Sequence, residues 1–204
     1  MGWPRGWSVL PSTSNRVSPY EEEGPLPRLF TGLEIPADVG FALSLKRGGL
    51  AGARWIDAEN YHITLRFIGD VDHQTADEVA DSLDRLSNSL RFSVRLTHLG
   101  TFGGDKPRAL YAGVEPSEAL NRLHAAQERV LQRAGLPPDG RKFVPHVSLA
   151  RLRGAGAEEV ARFMAEAGRF EPLSFPVGRF VLFSSKDSVG GGPYVVEQSY
   201  PLAA

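Results

Sequence analysis

Two short strings of the sequence carry the residue types that acid–base chemistry uses. The first, HITL, occupies residues 62–65, and the second, HVSL, occupies residues 146–149. Each consists of a histidine, an apolar residue, a hydroxyl residue and a second apolar residue. Histidine titrates near pH 6.5, so a pair of imidazoles can supply one proton acceptor and one proton donor near neutral pH. The repeat therefore predicts a site with two matching halves.

The alternation of side chains along a β-strand turns each string into a half-site. Successive side chains point to opposite faces of a strand. His62 and Thr64 should therefore share one face, and His146 and Ser148 should share one face of a second strand. If the two strands lie side by side, two imidazoles and two hydroxyls converge on one cleft.

This set of groups suits displacement at phosphorus. A base must deprotonate the attacking water, and an acid must protonate the departing oxygen. The hydroxyls can donate to the non-bridging phosphate oxygens, where negative charge gathers in the transition state. No metal or other cofactor is required, and the sequence lacks a dense carboxylate cluster. The remaining histidines, His73, His98 and His124, lack metal-ligand spacing and are expected to be exposed.

The residues that follow the two strings are candidates for binding the substrate. Strict alternation places Arg66 on the cleft face and Phe67 on the face that packs into the core. It places Arg151 on the face opposite His146, unless the strand bends at its end. An arginine in the cleft would add a charge-assisted bond to phosphate. Phe67 and Phe143 could pack in the core or could stack on a base.

Composition and charge exclude several classes of protein. The chain has 204 residues and a formal net charge of −1, so any contact with nucleic acid must come from a local patch. The absence of cysteine excludes disulfides, thiolate nucleophiles and cysteine zinc sites. No apolar run approaches the roughly 20 residues that span a bilayer. We expect a cytoplasmic monomer without a membrane partner.

The periodicity of apolar residues predicts one folded domain after an N-terminal extension. Residues 1–27 are rich in proline and serine, lack apolar periodicity and are predicted to be flexible. Residues 28–204 alternate irregularly between strand and helix patterns, with glycine-rich loops, including 190–192, between them. This order favours an α+β fold with largely antiparallel sheets. Strands are predicted at 29–35, 61–68, 92–96, 109–114, 143–151, 173–183 and 194–200. Helices are predicted at 36–45, 75–86, 118–134 and 157–167.

The two strings and their flanks resemble the paired motifs of the 2H phosphoesterase superfamily. Within it, residues 61–69 and 143–151 are similar to those of the RNA 2′,3′-cyclic phosphodiesterases, long called 2′-5′ RNA ligases. The resemblance extends from about Arg28 to Leu202. It implies two pseudo-symmetric α+β lobes around a central cleft, and it implies RNA with 2′,3′-cyclic phosphate ends, such as tRNA fragments, as the partner.

The resemblance also implies different roles for the matching residues. His62 would donate a proton to the leaving 3′-oxygen, and His146 would accept a proton from water. Thr64 and Ser148 would hold the phosphate, and a basic residue at Arg151 would contact it. The product would be a 2′-phosphomonoester. Ligation of tRNA halves through a 2′-5′ bond, or binding of RNA ends without catalysis, would use the same residues; both intact histidines and hydroxyls argue against the second.

Overall fold

The computed structural model describes residues 28–185 and 192–204. The predictions for the 1–27 extension and for most of the 190–192 loop lie outside the described residues. The described strands are β1 Arg28–Glu34, β2 Ala53–Trp55, β3 His62–Asp70, β4 Phe92–Phe102, β5 Ala109–Val114, β6 His146–Leu152, β7 Leu173–Val177, β8 Arg179–Ser185 and β9 Val195–Pro201. The described α-helices are α1 Ala37–Ser44, α2 His73–Asp84, α3 Glu118–Arg133 and α4 Ala157–Glu166, and a short 3-10 helix spans Ala58–Asn60.

The strands form a continuous sheet with two matching halves. Its order is β7-β4-β5-β6-β3-β1-β8-β9, and the short β2 pairs with β6 beside this path. All the strand pairs are antiparallel, which confirms the predicted α+β class. The halves meet where Ile63 of β3 pairs with Val147 of β6. The two histidine strands are therefore the innermost strands of the two halves.

A β-bulge occurs at the same place in both histidine strands. Thr31 pairs with Arg66 and Gly32 pairs with Thr64, which leaves Leu65 as the extra residue of β3. In the same way the pairing of β5 with β6 skips Leu149. A bulge inserts one residue and redirects the side chains beyond it. Side chains therefore alternate between the two faces as predicted as far as Thr64 and Ser148. Beyond the bulge, each side chain lies on the face opposite to the predicted one.

The main core covers the face of the sheet that lies opposite the two imidazoles. Ile63 and Leu65 from β3 are almost fully buried there, together with Val147 and Leu149 from β6. Burial of such side chains contributes about 2 kcal/mol each. The core thus holds the apolar residues of both strings on one side, which leaves the polar residues of the strings on the other side.

Several element boundaries differ from the predicted ones for local reasons. β6 begins at His146 instead of 143, because Pro145 has no backbone N–H to donate to a strand partner. The predicted strand at 173–183 is two strands, which are separated at Gly178. Helix α2 starts at His73, two residues earlier than predicted, because the Asp72 carboxylate accepts the Thr75 N–H and caps the helix.

Arg66 lies in the protein interior, which corrects its predicted place in the cleft. The bulge turns its side chain toward helix α3, where the guanidinium is 6% exposed. It donates hydrogen bonds to the Glu128 carboxylate and to the carbonyl of Pro137. The Asp139 carboxylate lies 3.9 Å from the same guanidinium. Arg66 therefore ties α3 and the following loop to the sheet.

We predict that Arg66→Ala lowers the free energy of unfolding by about 3 kcal/mol, because it leaves the largely buried Glu128 carboxylate without its cation. The measurement is urea unfolding of the variant and the parent. Arg122→Ala is the matched control, since the Arg122–Glu118 pair is exposed and should contribute less than about 0.5 kcal/mol. Equal effects of the two substitutions would contradict the structural role of Arg66.

Candidate active site

The two imidazoles and two hydroxyls of the strings come together at the junction of β3 and β6. Ile63 pairs with Val147 in antiparallel register, so His62 is level with Ser148 and Thr64 is level with His146. These four side chains are partly buried and alternate with the fully buried apolar residues of both strings. The predicted convergence of the four groups on one face therefore agrees with the register of the sheet.

Each imidazole is held through one ring nitrogen by a backbone carbonyl two residues before it. His62 Nδ1 lies 2.8 Å from the carbonyl oxygen of Asn60, and His146 Nδ1 lies 2.7 Å from that of Val144. A carbonyl oxygen only accepts, so both Nδ1 atoms must carry the proton in these bonds. The proton that each imidazole exchanges is therefore the one on Nε2.

Three aromatic rings surround the His62 imidazole. Phe30 and Tyr194 have ring centroids 4.9 Å from it, and Phe183 lies at 5.5 Å. Asn60 connects this wall to the histidine, because its side-chain oxygen accepts the Tyr194 N–H while its backbone carbonyl accepts from His62. The ring is enclosed by protein on these sides, and its remaining accessible surface faces the cleft.

Two aromatic rings occupy the corresponding place around His146. Phe102 of β4 lies 4.8 Å from the imidazole and Tyr111 of β5 lies 5.3 Å from it. These two rings stack on each other at 4.4 Å. A β-carbon at Gly100 would lie 2.5 Å from the Tyr111 ring, so glycine is needed where this ring crosses β4. The rings again limit access of water to the imidazole.

This burial lowers the pKa of both histidines. Desolvation, together with repulsion from His146, lowers the pKa of His62 to about 4, although its bond to the Asn60 carbonyl opposes the shift. Desolvation also lowers the pKa of His146 below its ordinary value. Both imidazoles are therefore neutral at pH 7 in the free protein, and each has an unprotonated Nε2.

Arg151 is exposed on the same face as the four groups, which corrects its predicted place on the opposite face. The bulge at Leu149 produces this inversion. Arg151 lines a cavity of about 370 Å³ together with Arg54, its neighbour across the β2–β6 pair, and with Asn60. The bend suggested for the strand end is thus a bulge two residues before the arginine.

The two candidate phenylalanines lie in different surroundings. Phe67 is 42% exposed on the cleft face instead of buried in the core, because the bulge inverts it together with Arg66. Phe143 stacks on His124 of helix α3, with ring centroids 3.9 Å apart, and packs against the main core. Phe143 and Arg66 are therefore outside the cleft.

The remaining histidines differ in exposure. His73 and His124 are half-buried, although both were predicted to be exposed, whereas His98 is exposed as predicted.

Comparisons with known proteins identify the family. The model of the 2′-5′ RNA ligase superfamily matches residues 50–188, a segment that includes both strings. The chain belongs to this superfamily. It is 36% identical over 133 residues to an RNA 2′,3′-cyclic phosphodiesterase of Aeropyrum pernix, covering 64% of this chain and 75% of the relative. It is 32% identical over 154 residues to one of Thermotoga maritima, covering 74% and 80%.

Two solved structures share the fold of this chain. A Thermus thermophilus protein has a TM-score of 0.70 at 25% identity, covering 86% of this chain and 97% of its own. E. coli LigT in complex with 3′-AMP has a TM-score of 0.68 at 24% identity, covering 89% and 100%. The superfamily match and the named relatives confirm the predicted membership of the 2H phosphoesterases, and these two structures agree with it in fold.

Sequence reasoning missed the rings that surround the imidazoles and the residues that hold those rings. Each of these rings is distant in the chain from the histidine that it surrounds: Phe30 and Phe183 from His62, and Phe102 and Tyr111 from His146. Their only local signal is their position in apolar strands, which ordinary core residues share.

Within residues 28–185 and 192–204, no group of three or more histidine, aspartate or glutamate side chains could hold a metal ion. No helix in these segments is long and apolar enough to cross a membrane.

We predict that His62 titrates near pH 4 in the free protein, because the aromatic wall excludes water from its charged form. The measurement is the pH dependence of the imidazole NMR resonances, with His62→Gln used to assign them. Inorganic phosphate should raise the midpoints of both His62 and His146, since a bound anion favours imidazolium. Titration of His62 near pH 6.5 without phosphate would contradict the enclosed environment.

Proposed function

We propose that this protein hydrolyses the terminal 2′,3′-cyclic phosphate of RNA to a 2′-phosphomonoester by metal-independent acid–base catalysis. The relatives from Aeropyrum pernix and Thermotoga maritima bear the name of this activity. The observation that carries the proposal is the paired arrangement of His62 and His146 at the junction of β3 and β6. Each has Nδ1 bonded to a carbonyl and a hydroxyl residue two positions later.

The proposed mechanism uses the two imidazoles on opposite sides of the phosphorus atom. His146 accepts a proton from the attacking water through Nε2. His62 donates a proton to the departing 3′-oxygen, so that the 2′-oxygen keeps the phosphate. The antiparallel register of β3 and β6 supports the opposed placement of the two histidines, because it relates them by an approximate twofold axis; the assignment of donor and acceptor follows the family resemblance. In-line displacement needs an acid and a base in such opposed positions.

In the free protein His146 already has the neutral form that a general base needs. His62 acquires the protonated form that a general acid needs when the substrate binds. Neutral His146 can accept a proton at once at pH 7. The cyclic phosphate carries one negative charge, and an anion beside an imidazole favours its protonated form. In the proposed cycle His62 therefore gains its proton together with the substrate. The burial that lowers its pKa in the free protein then makes its imidazolium a strong proton donor.

The remaining residues of the cleft bind the substrate in this proposal. Thr64 and Ser148 donate hydrogen bonds to the non-bridging phosphate oxygens, which gain charge in the transition state. Arg151, exposed at one end of the cleft, attracts the anionic substrate. Phe67, exposed beyond Thr64, offers a surface for a base. The RNA ends include those of tRNA fragments, and the protein acts as a cytoplasmic monomer.

A 2′-5′ ligase is the second candidate, because the superfamily is named for that reaction. Ligation would use the same four groups, with a ribose 5′-hydroxyl in place of water. The two reactions are separated by incubating an RNA with a cyclic phosphate end together with an RNA with a 5′-hydroxyl end. Hydrolysis yields a 2′-phosphate at the first end, whereas ligation yields one longer chain with a 2′-5′ bond.

We predict that His62→Ala and His146→Ala each lower the turnover of adenosine 2′,3′-cyclic phosphate by a factor of about 10² or more, as loss of a general acid or base should. The measurement is the initial rate, with the product isomer identified. His73→Ala is the matched control and should keep the parental rate, because His73 lies at the start of helix α2, outside the four-group site and the rings around it. EDTA should leave the parental rate unchanged.

Full activity in either histidine variant would contradict the two-histidine mechanism, and strong inhibition by EDTA would contradict metal independence. Absence of turnover in the parent protein, combined with binding of the cyclic phosphate, would indicate a module that binds RNA ends without catalysis.

A further inference from the structure

Arg141 lies at the edge of the cleft, in the loop that connects helix α3 to strand β6. Its guanidinium carbon is 4.9 Å from the centroid of the Phe67 ring. The side chain is 65% exposed. A guanidinium that covers one face of an aromatic ring, with its own outer surface accessible, presents a planar group toward the cleft.

The position of this guanidinium is fixed by Asp139. Arg141 Nε and Nη2 donate to the two carboxylate oxygens of Asp139, at 2.9 and 2.8 Å. The Asp139 N–H donates to the Glu128 carboxylate at 3.0 Å, and Glu128 is the buried partner of Arg66. The bonds from Arg141 lower the pKa of the Asp139 carboxyl to about 2, so the pair stays ionised at neutral pH. Arg141 is therefore connected through Asp139 and Glu128 to the buried Arg66.

The approximate twofold symmetry of the sheet allows the Arg141–Phe67 pair to be compared with the corresponding position in the other half. Phe67 and Arg151 occupy corresponding positions, each the second residue after the bulge of its strand. Because β3 and β6 are antiparallel, the two residues lie toward opposite ends of the cleft. One half thus presents a guanidinium from its own strand, and the other half presents a phenyl ring with the Arg141 guanidinium over it.

We propose that Arg141 is a substrate-binding residue whose guanidinium, supported by Phe67 and positioned by Asp139, stacks on the nucleobase of the RNA end. This inference rests on the proposed function, in which His62 faces the leaving 3′-oxygen and the attached nucleoside lies on the β3 side of the cleft. That side also carries Phe67, and the Phe30 ring contacts both the His62 ring and the Phe67 ring. The buried Arg66–Glu128 pair then acts as the anchor of the loop that carries Arg141.

The chemistry of the site favours a base over a second phosphate. The Asp139 carboxylate balances the charge of Arg141 through two hydrogen bonds, which weakens its attraction for another anion. Its planar surface is unaffected by this pairing. Bases of RNA stack on guanidinium planes as well as on aromatic rings. Stacking accepts any base, and a purine offers the larger surface.

The experiment compares two substrates that differ only in the base. One is adenosine 2′,3′-cyclic phosphate, and the other is the 2,3-cyclic phosphate of 1,4-anhydroribitol, which has the ribose ring without a base. For the parent protein we expect kcat/KM to favour the adenosine substrate by about tenfold or more. Arg141→Ala should reduce this preference at least about fivefold, mainly by raising KM for the adenosine substrate.

Two further variants make the test specific. Arg141→Lys keeps the charge and removes the plane, so it should lose the preference as Arg141→Ala does. Arg122→Ala removes an exposed arginine of helix α3 outside this cluster and should keep the parental preference. Thermal unfolding of each variant shows whether the loop substitution changes the folded population.

Three results with the variants would overturn the inference: an unchanged preference in Arg141→Ala, an equal loss on both substrates in Arg141→Ala, or a full preference in Arg141→Lys. A parent protein that hydrolyses neither substrate would instead overturn the proposed function. A parent that hydrolyses both substrates at equal kcat/KM would retain that function and exclude the stacking site.

Discussion

The pairing of Ile63 with Val147 is the contact on which the cleft depends. It joins the two halves of the sheet at their histidine strands. Both side chains are fully buried in the core, so the register is fixed by apolar packing as well as by backbone bonds. A slip of one residue would turn the imidazoles and hydroxyls of one strand into the core. The geometry of the candidate site is therefore set by the hydrophobic side of the same two strings.

The sequence was sufficient to predict the half of the site that precedes the bulges. His62 and Thr64, and likewise His146 and Ser148, follow the simple alternation of a strand, and the structure places them together. Arg66, Phe67 and Arg151 lie beyond the extra residue of each strand, so alternation predicts the wrong face for all three. The bulge depends on pairing with β1 and β5, and a single strand sequence does not contain this information.

The environment of the imidazoles was also beyond local sequence patterns. The rings around His62 come from β1, β8 and the residues before β9, while those around His146 come from β4 and β5. Their effect is electrostatic, because they remove water from the charged form of each histidine. In the proposed mechanism, this enclosure makes the protonation of the pair depend on the anion that enters the cleft. In the same proposal, the two similar half-sites assume different roles once an asymmetric substrate is bound.

The division of roles between the two histidines is tested most directly by changing the leaving atom. In a ribonucleoside cyclic phosphorothiolate with sulfur at the 3′ position, the leaving thiolate has a conjugate acid of pKa near 8.5 and departs without a proton donor. The rate deficit of His62→Ala should shrink at least about tenfold on this substrate relative to the oxygen substrate, because the lost group is the acid. The deficit of His146→Ala should persist. Equal deficits on both substrates for His62→Ala, or relief of His146→Ala instead, would contradict the assignment of His62 as donor and His146 as acceptor.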